Sequence, residues 1–172
     1  MEKVLVVGCP GGGKSTFAAR LRGLTGLPLY HLDQIWHRPD RTTITPGEFD
    51  RQLAALLARE RWIIDGNYQR TLELRLQACD TVFFLDYPTA LCLEGALARV
   101  GKPHPDLPWV ETRPDPDFLQ AIRDFPIQQR PALCALLARY REGRRMFAFQ
   151  DRGETEAYLQ ALAAAKGEER HG

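Results

Sequence analysis

The sequence predicts an α/β protein built on a parallel sheet, and three observations carry that expectation. Short apolar runs suited to strands alternate along the chain with segments whose apolar residues fall at helical spacing. One junction between the two, residues 8–15, reads Gly-Cys-Pro-Gly-Gly-Gly-Lys-Ser. Further runs end in an acid, at Asp33, Asp65 and Asp86, on the edge where ligands of such sheets sit. With 172 residues, of which 44% are hydrophobic and 26% charged, the chain is enough for one domain with a full core.

The elements follow in order. Residues 4–7 form the first strand and enter the Gly-rich junction; Phe17, Ala18, Leu21 and Leu24 mark the helix that leaves it. Gly26 and Pro28 then punctuate a turn into a short second strand over 29–32, ending at Asp33. A loop through Ile35, Trp36, His37 and Pro39 follows. Thr45-Pro46-Gly47-Glu48 reads as a capping box with proline at the first helical position, opening a helix that runs to about residue 59. Trp62-Ile63-Ile64 is the third strand, ending at Asp65, and residues 72–77 are a short helix. The fourth strand, 81–85, ends at Asp86, and Pro88 opens a helix toward Arg99. Prolines at 103, 105, 108, 114 and 116 make 101–116 an irregular loop. Helices over 118–125 and 131–142, a fifth strand over 146–149 and a helix over 154–165 complete the expectation, with 167–172 as a polar tail.

Composition excludes several classes. A net charge of +1 provides no overall field for nucleic acid or a membrane surface. No apolar stretch approaches the ~20 residues of a membrane span, and residues 1–7 read as a strand and not as a signal peptide. Cys9, Cys79, Cys92 and Cys134 are scattered without a C-x-x-C pair, as expected of free thiols in a reducing, cytoplasmic setting. A monomer or homodimer is expected.

Residues 8–15 match G-x-x-x-x-G-K-[ST], with the strand before and helix after that the motif requires. Glycines let successive backbone N–H groups curl inward, and the helix start adds its positive dipole end. The loop from Gly8 through Cys9, Pro10, Gly11, Gly12, Gly13, Lys14 and Ser15 to Thr16 is therefore a triphosphate site. Lys14 reaches the β- and γ-phosphates, and the Ser15 hydroxyl holds Mg²⁺. Asp65, after an apolar strand, is either an acid of the Mg²⁺ surroundings or the cap of its turn. Asp33 either receives or binds an acceptor hydroxyl, or closes an Asx turn; Asp86 reads as a helix cap. Trp36, Asn67 and Tyr68 are candidates to line an acceptor pocket, with packing as the alternative for the two aromatics. Arg70, Arg75, Arg99, Arg113, Arg123 and Arg130 are candidate phosphate forks, Arg99 foremost because it stands at the mouth of the Pro-rich loop. That loop is a candidate lid. His31 and His37 show no metal-ligand spacing.

These residues together resemble a P-loop kinase of the adenylate kinase-like group, and most closely the DNA topology modulation (FlaR-related) proteins. The carriers are residues 8–16, Tyr30-His31-Leu32-Asp33 with Trp36, residues 61–68 (Arg-Trp-Ile-Ile-Asp-Gly-Asn-Tyr), 80–88, Phe125-Pro126 and Arg130-Pro131. The resemblance covers nearly the whole chain and implies a three-layer P-loop NTPase, nucleotide kinase-like, with a five-stranded parallel sheet of order 2-3-1-4-5. It implies that Asp65 lies near metal and phosphates, that Arg70 lies close to the acceptor-phosphate arginine of adenylate kinases, and that Arg99 is a nucleotide-contacting arginine. The chain departs from that pattern in two places. Gly95 stands where adenylate kinases carry an arginine against the base, and 101–116 holds only Lys102 and Arg113 as basic residues. No Asn-Lys-x-Asp motif is present, which favours ATP over GTP.

The resulting expectation is a kinase using ATP and Mg²⁺. Lys14, Asp33 and Arg99 are catalytic, Ser15 and Asp65 hold the metal, and Asp33, Trp36, Asn67, Tyr68 and Arg70 bind the acceptor. The acceptor is a nucleotide, nucleoside or small hydroxy metabolite. The alternative is a nucleotide-binding regulatory protein without robust transfer. Residues 1–166 form one domain with a lid insertion at 100–117.

Overall fold

The computed structural model describes residues 1–104 and 106–169. Strands β1 (Lys3–Gly8), β2 (Leu29–His31), β3 (Trp62–Asp65), β4 (Thr81–Leu85) and β5 (Arg145–Phe149) form one parallel sheet of order β2-β3-β1-β4-β5. The helices are α1 (Lys14–Thr25), α2 (Leu32–Trp36), α3 (Pro46–Leu57), α4 (Gln69–Ala78), α5 (Thr89–Ala98), α6 (Pro116–Gln128), α7 (Arg130–Arg139) and α8 (Arg152–Glu169). The chain moves one way across the sheet from β1 to β2 and the other way through β3, β4 and β5. Right-handed crossovers therefore put α1 on the opposite face from α3, α4 and the α5–α7 segment. Helix α8 packs on α1 and so joins its face. The central strands β1, β3 and β4 are buried along nearly their whole length, as a sheet covered on both sides requires. On the α1 face Phe17, Phe83, Phe149 and Tyr158 pack as an aromatic cluster, with Phe17 and Phe83 centroids 5.0 Å apart.

Several expected boundaries shift, each for a local reason. Strand β2 stops at His31, where Asp65 is its last partner in the ladder. With no strand left to pair, Leu32 turns inward, fully buried, and starts α2; Asp33 sits in the first turn of a helix and Trp36 ends it, where a strand end and a loop were expected. Thr45 caps α3 as read from the sequence, accepting from the Glu48 backbone N–H at 3.2 Å. Helix α4 begins earlier than expected, behind Tyr68 in a left-handed conformation (φ 32°). Asp86 caps nothing; it pairs at 2.7 Å with Arg130, the first residue of α7, a contact between segments distant in sequence. Helix α8 continues through 167–169, placed in the tail by the sequence; 170–172 lie outside the described residues. Among the described residues no helix is long and apolar enough to cross a membrane, and the four cysteines are free.

Candidate active site

The Gly-rich junction wraps the N-terminus of α1 at the carboxyl edge of β1. Gly13 takes the left-handed conformation (φ 79°) immediately before the helix, so Lys14 and Ser15 open its first turn. The loop lies backbone-to-backbone on α5. A Cβ at Gly11 would stand 2.2 Å from the Cys92 carbonyl oxygen, and one at Gly95 2.2 Å from the Gly11 carbonyl oxygen. Position 95 therefore accepts no arginine, nor any side chain. Asn67 pins the base of the loop: its Oδ1 accepts from Gly8 N–H at 3.0 Å and its Nδ2 donates to Gly8 O at 2.6 Å. Gly8 and Cys9 are buried beneath the loop, while Pro10 through Thr16 face a cavity of about 810 Å³.

The same cavity is lined by Asp33, Asp65, Asn67, Tyr68 and Arg99. It thus unites residues from the ends of β1 and β3, from α2 and from the end of α5. Tyr68 donates its hydroxyl proton to Asp33 at 2.6 Å. Asp65, 4% exposed, accepts from the Ser15 hydroxyl at 2.7 Å through Oδ2, while its Oδ1 is buried without a partner. Lys14 Nζ donates to the Cys9 carbonyl at 3.0 Å. Arg99 caps the C-terminus of α5 and pairs with Glu111 at 2.5 Å, its guanidinium over the Phe118 ring.

Two expected acceptor residues stand elsewhere. Trp36 packs edge-on against Phe49 and Tyr68, behind the cavity wall. Arg70 is exposed on α4 and forms a two-pronged pair with Asp50 of α3 at 2.6 and 2.9 Å. Arg75 is no phosphate fork either. It is completely buried and donates to the carbonyls of Gly66, Asn67 and Tyr68, so it holds the turn that carries the site. Arg113 and Arg123 are exposed away from the cavity, and Arg130 is committed to Asp86.

No family model and no curated protein matches the chain. Solved structures do. Shikimate kinase from Acinetobacter baumannii, in complex with shikimate, aligns over 94% of this chain and 90% of its own with TM-score 0.59 and 21% identity. Shikimate kinase from Bacteroides thetaiotaomicron aligns over 95% and 97% with TM-score 0.55 and 19% identity. A gluconokinase from Sinorhizobium meliloti 1021 aligns over 99% and 95% with TM-score 0.54 and 17% identity. The chain has the P-loop kinase fold.

Within that P-loop kinase fold the electrostatics divide the acids. Burial pushes the Asp33 carboxyl above the ordinary range, against the opposing pull of the Tyr68 hydrogen bond. Burial, and then the charge of Asp33, push the Tyr68 phenol up in turn, so it stays a donor. Asp106 behaves oppositely. Burial works to raise it, but the hydrogen bond and charge of His104, with Arg99 and Ser15, hold it at about 2. Asp106 and His104 are the parts of the site that the sequence did not single out, and His31 entered there without a role. Asp106 Oδ2 lies 2.9 Å from the Ser15 hydroxyl, His104 bonds its other oxygen, and His31 Nδ1 lies 2.9 Å from Asp65 Oδ2. No periodicity marks a Pro-rich loop, so nothing in the sequence pointed to residue 106; the pairing of His31 with Asp65 comes from their register in the folded sheet.

Proposed function

We propose that this protein is an ATP-dependent kinase that transfers the γ-phosphoryl group to a hydroxyl of a small metabolite, nucleoside or nucleotide. The observation that carries the reading is a single cavity in which the triphosphate loop faces the buried Asp33–Tyr68 pair. Phosphoryl transfer needs charge neutralisation and an aligned acceptor more than covalent chemistry by the protein. Lys14 and Arg99 supply cations on the nucleotide side. Asp33 receives the acceptor hydroxyl, and its burial raises its pKa above the ordinary carboxylate range, which makes it a stronger proton acceptor than an exposed carboxylate. Tyr68 fixes the carboxylate's orientation. Ser15 and Asp65 fit Mg²⁺, since Asp65 Oδ1 is a buried acceptor without a donor. A Mg²⁺ ion held by Ser15 and Asp65 would supply neutralisation of the phosphate charge. Residues 100–117 act as a lid that excludes water from the transfer.

The solved structures that share the fold are named for kinases of small hydroxylated acids, which supports an acceptor of that size. Of the residues that carry the resemblance to DNA topology modulation proteins, Asp33 and residues 65–68 line the cavity, while 30–32 and 61–64 lie outside it. The test is ADP release from Mg–ATP against a panel of hydroxylated acids, sugars, nucleosides and nucleoside monophosphates. One class should raise ADP release; Lys14→Ala should abolish ATP binding, and Asp33→Asn should lower the acceptor-dependent rate by about 10²–10⁴ while ATP affinity holds. If no acceptor accelerates ADP formation, the kinase reading fails and a nucleotide-binding regulator takes its place.

A further inference from the structure

Two carboxylates converge on one hydroxyl at the mouth of the phosphate loop. Ser15 Oγ lies 2.7 Å from Asp65 Oδ2 and 2.9 Å from Asp106 Oδ2. A serine hydroxyl has a single proton to donate, so one of these two oxygen–oxygen approaches has no hydrogen in it. His31 Nδ1 engages the Asp65 oxygen that already faces Ser15, and leaves Asp65 Oδ1 buried and unpartnered. The arrangement has more anionic oxygens than donors, which is the condition a cation relieves.

Asp106 arrives there from the candidate lid. It is 7% exposed, His104 bonds it, Arg99 lies 4.0 Å away, and the Gly101 N–H donates to the Glu111 carbonyl at 2.6 Å to close the segment's neck. Trp109 of the same segment packs edge-on against His37, centroids 5.2 Å apart. Among the described residues the hydrogen bonds of the Asp106 side chain go to Ser15 and His104. None goes to the loop's backbone N–H groups or to Lys14, which would hold phosphate. The carboxylate thus stands on the cation side of the site and not in the anion cradle.

Resting on the kinase reading, the geometry points to Asp106 as a lid-borne partner of the divalent cation. Lid closure brings a second carboxylate beside Asp65 to the ion that Ser15 and the triphosphate hold, so cation binding and closure favour each other. No group of three or more His, Cys, Asp or Glu side chains among the described residues is disposed to hold a metal alone. That is the ordinary state of a Mg²⁺ site, which draws on one or two carboxylates and completes itself with substrate phosphates.

The test measures Mn²⁺ affinity by electron paramagnetic resonance in the presence of the β,γ-imido analogue of ATP, with Trp109 fluorescence recording the lid. In Asp106→Asn, Mn²⁺ affinity of the nucleotide complex should fall about tenfold or more, the scale of losing one anionic partner of a metal site. Affinity for the analogue in excess chelator should not fall, which also shows that the variant is folded, and Asp106→Glu should recover part of the loss. The metal-dependent fluorescence change should shrink in Asp106→Asn. Unchanged or tighter Mn²⁺ binding in Asp106→Asn would overturn the assignment and make the carboxylate a competitor of the cation. A wild-type protein that binds the analogue in neither condition would overturn the kinase reading itself, and this inference with it.

Discussion

Gly95 offers a test in which two identical substitutions should move stability in opposite directions. In the interior of a helix, glycine to alanine ordinarily gains about 1 kcal/mol. Gly23, exposed in α1, would place its new methyl where nothing lies within 4 Å, so Gly23→Ala should gain about 0.5–1 kcal/mol. Gly95 is also helical, in α5, but its Cβ would stand 2.2 Å from the Gly11 carbonyl oxygen. A carbon contact relaxes only near ~3.5 Å, so the loop and α5 would have to part by about 1 Å. The opposing atom is backbone and cannot rotate away. Overpacking of this kind costs about 1–3 kcal/mol, which outweighs the propensity gain and leaves Gly95→Ala destabilised by up to about 2 kcal/mol. The two variants should therefore differ by between about 0.5 and 3 kcal/mol in urea denaturation, with Gly23→Ala the more stable. At about 2–4 °C per kcal/mol for a chain of this size, that is between about 1 and 12 °C in Tm. ATP affinity should fall in Gly95→Ala alone, because the displaced backbone is the phosphate cradle. Equal or greater stability of Gly95→Ala relative to wild type would refute the claim that the loop rests directly on α5.

Two further outcomes follow from buried and paired charges. Arg75→Met leaves the carbonyls of Gly66, Asn67 and Tyr68 without their charged donor and should cost about 2–4 kcal/mol by urea titration; a loss under about 1 kcal/mol would show that the turn holds without it. Asp86 is depressed by its hydrogen bond to Arg130, so its contribution is fully present above the ordinary value of 3.8 and is lost as pH falls through its lower folded pKa. Denaturation midpoints of Asp86→Asn should accordingly fall less steeply with acidification below pH 3.8 than those of wild type, and parallel curves would argue against the pair.

The phosphate loop was readable from residues 8–16 because every requirement on it is local: glycines that permit the turn, and a lysine and serine that open the next helix. The strand–helix alternation and the cap at Thr45 were readable for the same reason. The helix at Leu32–Trp36 was not, since its start depends on where the neighbouring strand β3 runs out of ladder partners. Arginines were the least legible residues. Arg70, Arg75 and Arg99 look alike in one dimension, yet one lies on the surface against Asp50, one is buried under a turn, and one faces the cavity.

The chain's order of residues was thus sufficient for a triphosphate loop on an α/β sheet, because motif and periodicity are properties of neighbours in sequence. Only the folded sheet could bring Asp106 to Ser15, His31 to Asp65 and Asn67 to Gly8, because each of those contacts joins segments that no local propensity relates. It also decided why position 95 is glycine: the phosphate loop and α5 touch through their backbones, and a side chain has no room between them.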